Sequence, residues 1–251
     1  MKLSGVIITY NEERNIGRCL ESLQEVCDEI LVLDSFSTDK TQEICQSFGV
    51  RFEQNEFVGH IQQKNEALQR AKHPWILSLD ADEALTPTLK QSILSIKKKA
   101  PKNGGYTMNR LTSYCGKWIH HSGWYPDTKL RLVSKANASW GGTNPHDKLI
   151  AEENLSITHL KGDLLHYSYY TKEDHFKQIA FFSQIAAKEL YAKKVKSSLF
   201  KIGIKTMAQF IKSYFIKLGF LDGLAGWHIA IRSAYGTHQK YALLRKHWQD
   251  A

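Results

Sequence analysis

Three observations predict an α/β fold with a mostly parallel, doubly wound sheet and a helical C-terminal appendage. Short β-branched apolar runs alternate with segments of helical spacing over the first hundred residues. Three of those runs end on polar or acidic residues, and ligands of such sheets sit outside the carboxyl ends of the strands. From Lys172 onward the strand pattern gives way to helical periodicity.

The elements follow in order. Residues 3–10 (LSGVIITY) suit a strand buried on both faces. Asn11 is placed to cap the next helix, with Glu12 and Glu13 in its first turn and Ile16, Cys19, Leu20 and Leu23 at helical spacing. Residues 30–33 (ILVL) form a second strand ending on Asp34 and the turn Ser35-Phe36-Ser37-Thr38-Asp39. Thr38 or Asp39 caps a helix running through Ile44 to Phe48, which Gly49 closes. A third strand at 50–52 and a third helix at 61–71 precede residues 75–79 (WILSL), a fourth strand that runs into Asp80-Ala81-Asp82-Glu83. Thr86-Pro87 opens another helix, cap first and proline at the first helical position. Strands at 106–110 and 130–133 surround a loop-rich stretch holding Trp118, His120, His121, Trp124, Trp140, Gly141, Gly142 and His146, and aromatic, titratable loops over a rigid sheet are where substrates bind. The helical tail breaks near Ser197 and across 219–226.

With 251 residues, 42% hydrophobic and 24% charged, the chain reads as one large globular domain plus an appendage, which excludes disordered and collagen-like classes. The four cysteines form no C-x-x-C pair, so no zinc ribbon or thioredoxin motif is written, and they read as free thiols of a reducing compartment. The start of the chain leads into too short an apolar run for a secretory signal, and no uninterrupted apolar stretch reaches bilayer length. Charge is uneven: residues 188–251 hold twelve Lys+Arg and three Asp+Glu, so the whole formal +9 lies there. Gly203, Phe210, Ile211, Tyr214, Phe215, Leu218 and Leu221 fall on one helical stripe beside Lys201, Lys205 and Lys212. Such an amphipathic basic helix lies in a headgroup plane or packs on the body. Nucleic acid is disfavoured, because a phosphate backbone has no use for an apolar face.

The acidic strand ends carry the chemistry. Asp80 and Asp82, two residues apart in extended chain, point the same way. Two hard oxygen donors suit Mg²⁺ or Mn²⁺ shared with phosphate oxygens and water. A D-x-D phosphotransfer enzyme would carry Thr or Val where Ala84 stands, and no G-x-G-x-x-G follows the first strand to mark a dinucleotide oxidoreductase.

The stretches Ile7-Ile8-Thr9-Tyr10-Asn11-Glu12-Glu13, Val32-Leu33-Asp34-Ser35-Phe36-Ser37-Thr38-Asp39-Lys40-Thr41 and Ser78-Leu79-Asp80-Ala81-Asp82-Glu83 resemble the family 2 glycosyltransferases and their GT-A nucleotide-diphospho-sugar fold. Later segments, Trp124-Tyr125-Pro126-Asp127, Arg131-Leu132, Asn144-Pro145-His146-Asp147, His166-Tyr167-Ser168 and 218–223, are similar to the subgroup of lipopolysaccharide-core glucosyltransferases. The resemblance implies a catalytic domain over 1–171, with a nucleotide half at 1–103 and an acceptor half at 104–171, followed by the extension 172–251. It implies that Tyr10, Glu12 and Asp34 line a uridine pocket, that Lys64 lies near the phosphates, and that Asp80 approaches the ribose. Asp82 and His166 would ligate a divalent metal, Asp147 would be the catalytic base, and Arg131 would contact the diphosphate or an anionic acceptor. The family commonly has Glu where Asp147 stands, so Asp127 is a rival base and His146 a rival ligand.

The expected activity is inverting, metal-dependent transfer of a hexose from a nucleotide-sugar, UDP-glucose or similar, to a hydroxyl of a glycan or lipid-linked acceptor of the cell envelope. The expected location is the inner face of the cytoplasmic membrane, met by the basic tail. Read without the resemblance, His166 in Leu-Leu-His-Tyr has the pattern of a core histidine, Asp147 beside Lys148 that of a surface ion pair, and Arg131 between two leucines that of a solvent-facing residue. A non-catalytic membrane-surface protein that keeps the nucleotide-sugar fold is the remaining alternative.

Overall fold

The computed structural model describes residues 1–143 and 146–250, the side chain of His146 excepted. The chain divides into two compact units, Met1–Arg110 with Asp127–Tyr167, and Leu111–Pro126 with Ser168–Ala251. The sequence placed one boundary at residue 171; the excursion 111–126 in fact groups with the helical segment.

The first unit begins with β1 (Leu3–Thr9), α1 (Ile16–Leu23), β2 (Glu29–Asp34), α2 (Thr41–Ser47), β3 (Arg51–Gln54), α3 (His60–Arg70) and β4 (Trp75–Asp80). β5 (Glu83–Leu85), α4 (Pro87–Lys99), β6 (Gly105–Tyr114), β8 (Asp127–Ser134), β9 (Ala138–Thr143), β10 (His146–Ala151) and β11 (Ile157–Tyr169) follow, β6 belonging to this unit up to Arg110 and β11 up to Tyr167, with the short β7 (Lys117–Trp118) inside the excursion. The sheet order is β3-β2-β1-β4-β8-β6-β11-β5, and β9 pairs with β10 in a separate hairpin.

Strand alternation explains why both faces are covered. Leu3 and Ile7 of β1, Val32 of β2, and Trp75, Leu77 and Leu79 of β4 pack with Ile16, Cys19, Leu20 and Leu23 of α1 and Leu89 and Ile93 of α4. Val6, Leu33 and Ile76 point to the other face, onto Ala67 and Leu68 of α3 and Trp140 and Leu149 of the hairpin. β1, β2, β3 and β4 are mutually parallel, because a helix links each to the next. Past α4 no α-helix intervenes before β11 among the described residues, and β8 pairs antiparallel with both β4 and β6, as β11 does with β5.

Two local expectations are corrected. Asn11 caps nothing: it sits at φ 54 and its Oδ1 accepts from the Thr38 N–H at 2.8 Å, while α1 starts five residues later at Ile16. Its short amide binds the turn after β2 instead, a use open to Asn in the left-handed region. The apolar stripe of the tail is not one helix to residue 221, because α6 ends at Ile211, a π-turn covers 212–216, and Leu218 adopts φ 53 before the next break. The cap of α4 is as read, Thr86 Oγ1 accepting from Leu89 N–H with proline first in the helix.

The second unit contains α5 (Lys172–Ala192), α6 (Leu199–Ile211) and α7 (Gly223–Gln249). Its core gathers Tyr114, Ile119 and Ile229 with Trp124, Tyr169 and Ala225. Buried Asp222 ties the excursion down, accepting from the backbone N–H groups of His120 and His121.

Candidate functional site

The carboxyl ends of β1, β2 and β4 lie side by side, because Asp34 is in register with Thr9 and Asp80 with Ile8. Asp34 and Asp80 therefore flank β1 at one edge of the parallel sheet. Loops 11–13 and 37–41 are joined above them: Asn11 N–H donates to Ser37 Oγ, Glu12 N–H to Thr41 Oγ1 and Lys40 N–H to Glu13 Oε2.

Asp34 is fully buried and accepts from Thr9 Oγ1 and from Ser37 N–H, each at 2.8 Å, and from the Ser37 hydroxyl. Tyr10 is exposed next to it. The Glu12 carboxyl is pushed up by burial and by the charges of Asp82, Asp39 and Asp80, although Asn15 donates to it. Glu12 thus shares a neighbourhood with the D-x-D pair.

Around Asp80 the charges form an alternating chain. Lys64 Nζ from α3 lies 2.7 Å from Asp80 Oδ1 and 2.7 Å from Asp147 Oδ2. Arg131 Nη2 from β8 reaches Asp80 Oδ2 at 2.9 Å and Glu83 Oε1 at 2.8 Å. Glu83 also faces Arg110 at 3.5 Å, Arg110 holds Asp127 at 2.7 Å, and Asp127 meets Lys129 at 2.9 Å. The order is Lys129, Asp127, Arg110, Glu83, Arg131, Asp80, Lys64, Asp147, cation and anion in turn. Burial pushes the Asp80 carboxyl up, but Lys64 and Arg131 outweigh it and hold the group well below the usual carboxylate range. Asp127 likewise falls, Lys129 and Arg110 overcoming its burial.

Asp82 stands outside this chain. Its Oδ2 lies 3.2 Å from His166 Nε2, because the β5–β11 pairing sets His166 opposite Glu83 and Tyr167 N–H donates to the Asp82 carbonyl at 2.9 Å. Two adjacent ligands of an octahedral ion at about 2.1 Å are themselves about 3 Å apart. The Asp82–His166 pair fits one edge of such a shell. No group of three His, Cys, Asp or Glu side chains gathers around one point among the described residues.

The structure thus brings Lys64, Asp80, Arg131 and Asp147 into direct contact, pairs Asp82 with His166, and sets Glu12, Asp34 and Tyr10 at the adjoining strand ends. Arg131 is buried and turned onto two carboxylates rather than to solvent. Of the rival bases, Asp147 ends the charge chain and Asp127 stands next to its other end, and the side chain of the rival ligand His146 lies outside the described residues. Sequence reading gave no role to Glu83, Arg110 or Asn65. Asn65 exchanges two 2.8 Å hydrogen bonds with the backbone of Trp140 and so fastens the hairpin bearing Asp147 to the helix bearing Lys64. Lys64 Nζ lies 4.2 Å from the Trp140 ring centroid. Trp140 Nε1 and Arg131 Nε are buried without a partner. Buried polar atoms seldom go unpaired. Only adjacency to Lys64 and to the D-x-D stretch marked Asn65 and Glu83 in the sequence.

Comparison with known proteins gives a consistent picture. The family model described as glycosyl transferase family 2 matches residues 4–147. An uncharacterised glycosyltransferase of Rickettsia bellii is 30% identical over 98% of this chain and 86% of its own length. A lipopolysaccharide core biosynthesis glycosyltransferase of Rhizobium meliloti, LpsC, is 25% identical over 97% and 94%. Among solved structures, S. aureus TarS in complex with UDP aligns over 100% of this chain and 92% of its own, at 16% identity and a TM-score of 0.49.

Proposed function

This chain belongs to glycosyl transferase family 2, and from that premise we propose that it moves a hexose from a UDP-sugar to a hydroxyl of a glycan or lipid-linked acceptor in lipopolysaccharide or related envelope synthesis. The lipopolysaccharide assignment draws on the likeness to LpsC over nearly both full lengths. The observation that carries the donor reading is the Asp82–His166 pair, left outside the charge chain that neutralises Asp80.

In this reading Tyr10, Glu12 and Asp34 line the uridine pocket, Asp80 approaches the ribose, and Lys64 and Arg131 supply positive charge beside the diphosphate. Asp82 and His166 hold Mg²⁺ or Mn²⁺. When bound, the ion offsets charge on the departing diphosphate as a Lewis acid. Asp147 removes the proton from the acceptor hydroxyl, a role worth roughly 10²–10⁴-fold. Its contact with Lys64 at 2.7 Å aims the carboxylate, and Asn65 fixes the hairpin that carries it. Attack from the face opposite the leaving diphosphate inverts the anomeric centre. Trp140 Nε1 and Arg131 Nε are donors left for substrate oxygens. The basic helical unit meets the inner face of the cytoplasmic membrane, where a lipid-linked acceptor resides; no helix among the described residues is long and apolar enough to cross it.

Turnover of UDP-sugars with Mn²⁺, read as UDP release, tests the assignment. Asp82→Asn is expected to lose activity, and undiminished turnover removes the metal role. Asp147→Asn is expected to keep the thermal stabilisation by a UDP-sugar, about 2.7 kcal/mol at a hundredfold excess over Kd, while losing transfer. If Asp127→Asn shows that behaviour instead, the base is Asp127.

A further inference from the structure

The helical unit holds a cleft that none of the strand-end residues lines. It lies between α6 and α7, measures about 1010 Å³, and is walled largely by Leu199, Ile202, Met207, Phe210, Ile231 and Tyr235. Ligand pockets occupy roughly 300–1,000 Å³ and are mostly apolar, so this one is at the large end.

The two ends of the cleft differ. α6 and α7 run antiparallel, since Lys201 Nζ lies 5.6 Å from the Tyr241 ring while Phe210 and Trp227 meet with centroids 5.5 Å apart. Arg245 and Gln249 line the first end, with Lys201 and Lys240 both against Tyr241. Phe210, Trp227 and Tyr214 close the second with aromatic rings. From Leu190 to Leu221 the sequence has seven lysines and no acidic residue. Of the residues that line it, Leu199 is 69% and Met207 61% exposed. Contiguous exposed apolar surface is where interaction sites form. The thirteen residues of α6 run about 20 Å, enough for a hydrocarbon chain that fills one leaflet, about 15 Å of a 30 Å core.

We propose that this cleft holds one acyl chain of an anionic membrane phospholipid, with the phosphate at the Arg245 end and the hydrocarbon toward Phe210. Lys196, Lys201 and Lys240, which lie against Trp248 and Tyr241 beside Arg245, select an anionic head over a zwitterionic one, and the excess of lysine repels a second copy of the same surface. The membrane-surface part of the function proposed above supplies the lipid; the cleft itself stands on its own residues.

Gly203 provides the test. It lines the cleft and a Cβ added there has nothing within 4 Å, so Gly203→Leu starts a side chain in open space at the cleft. Replacing glycine in an exposed helix interior also favours the helix. Full-length protein is titrated with lysophosphatidylglycerol below its micellar concentration. Saturable one-to-one binding is expected, at least tenfold weaker for Gly203→Leu at unchanged circular dichroism, and weaker for lysophosphatidylcholine. Equal binding by the variant, equal binding of the zwitterionic lipid, absence of saturable binding, or a wild-type dimer that Gly203→Leu dissociates would each overturn the proposal. Thermal shift with a UDP-sugar on the same samples reports the transferase reading separately, so either can fail alone.

Discussion

Lys64 is the residue on which the site geometry turns. One ammonium, nearly out of solvent, is shared by two carboxylates at 2.7 Å each, Asp80 from a sheet strand and Asp147 from the hairpin. Removing one partner of a buried charge cluster costs about 3–5 kcal/mol, so Lys64→Gln should lower the urea stability by that order, with Lys64→Arg recovering much of it. The same variant has a pH signature. Burial pushes Asp80 up and the cations push it further down, so its folded pKa lies below the unfolded value of about 3.9. A depressed carboxyl stabilises the fold above the unfolded pKa, and that stability is lost as pH falls through the folded one. Wild-type stability from this group is therefore level above about pH 5 and declines below about pH 4. In Lys64→Gln the folded pKa of Asp80 rises toward the unfolded one, so the loss of stability between about pH 5 and the acid end should shrink, and an acid limb of unchanged depth would show that Lys64 does not hold Asp80.

At the scale of elements, β11 is what brings His166 to Asp82, and Gly162 is what lets β11 lie against α4. Gly162 has φ +96, and a Cβ there would come within 2.4 Å of the Leu89 backbone nitrogen at the start of α4. Gly162→Ala should destabilise by at least the roughly 1–3 kcal/mol of backbone strain, visible as a lower Tm, and should weaken metal-dependent turnover more than apo-protein donor binding. The sequence made such elements legible to very different degrees. Strands β1, β2 and β4 were readable because β-branched runs buried on both faces have few other uses, and α4 because cap and proline stand in the preferred order. The start of α1 was not readable, since Asn11 has the identity of a cap and spends its amide on Thr38 across a loop. The D-x-D stretch was visible, yet the chain through Glu83, Arg110 and Asp127 was not. Its members are adjacent only after β8 pairs between β4 and β6, and antiparallel pairing of strands 20 to 50 residues apart leaves no local periodicity.

The whole molecule separates its chemistry from its charge. The unit carrying the strand-end site includes every residue of the alternating ion-pair chain, whereas the formal +9 resides in the last 64 residues. A basic, apolar-faced helical unit should partition onto anionic vesicles with strong salt dependence. Each lysine near an anionic surface is worth about 1 kcal/mol, so Lys201→Ala with Lys205→Ala should weaken binding to phosphatidylglycerol vesicles by about 2 kcal/mol, roughly thirtyfold. Flotation at low and high salt reads both effects. The transferase reading itself rests on the strand ends, where Asp82 and His166 offer two donors at the spacing of adjacent ligands. Electron paramagnetic resonance of Mn²⁺ titrated into the full-length protein with saturating UDP measures that directly. One ion should bind per chain with UDP present, at least a hundredfold more weakly in Asp82→Asn and with little change in Asp147→Asn. Equal Mn²⁺ affinity in Asp82→Asn and wild type would contradict the account.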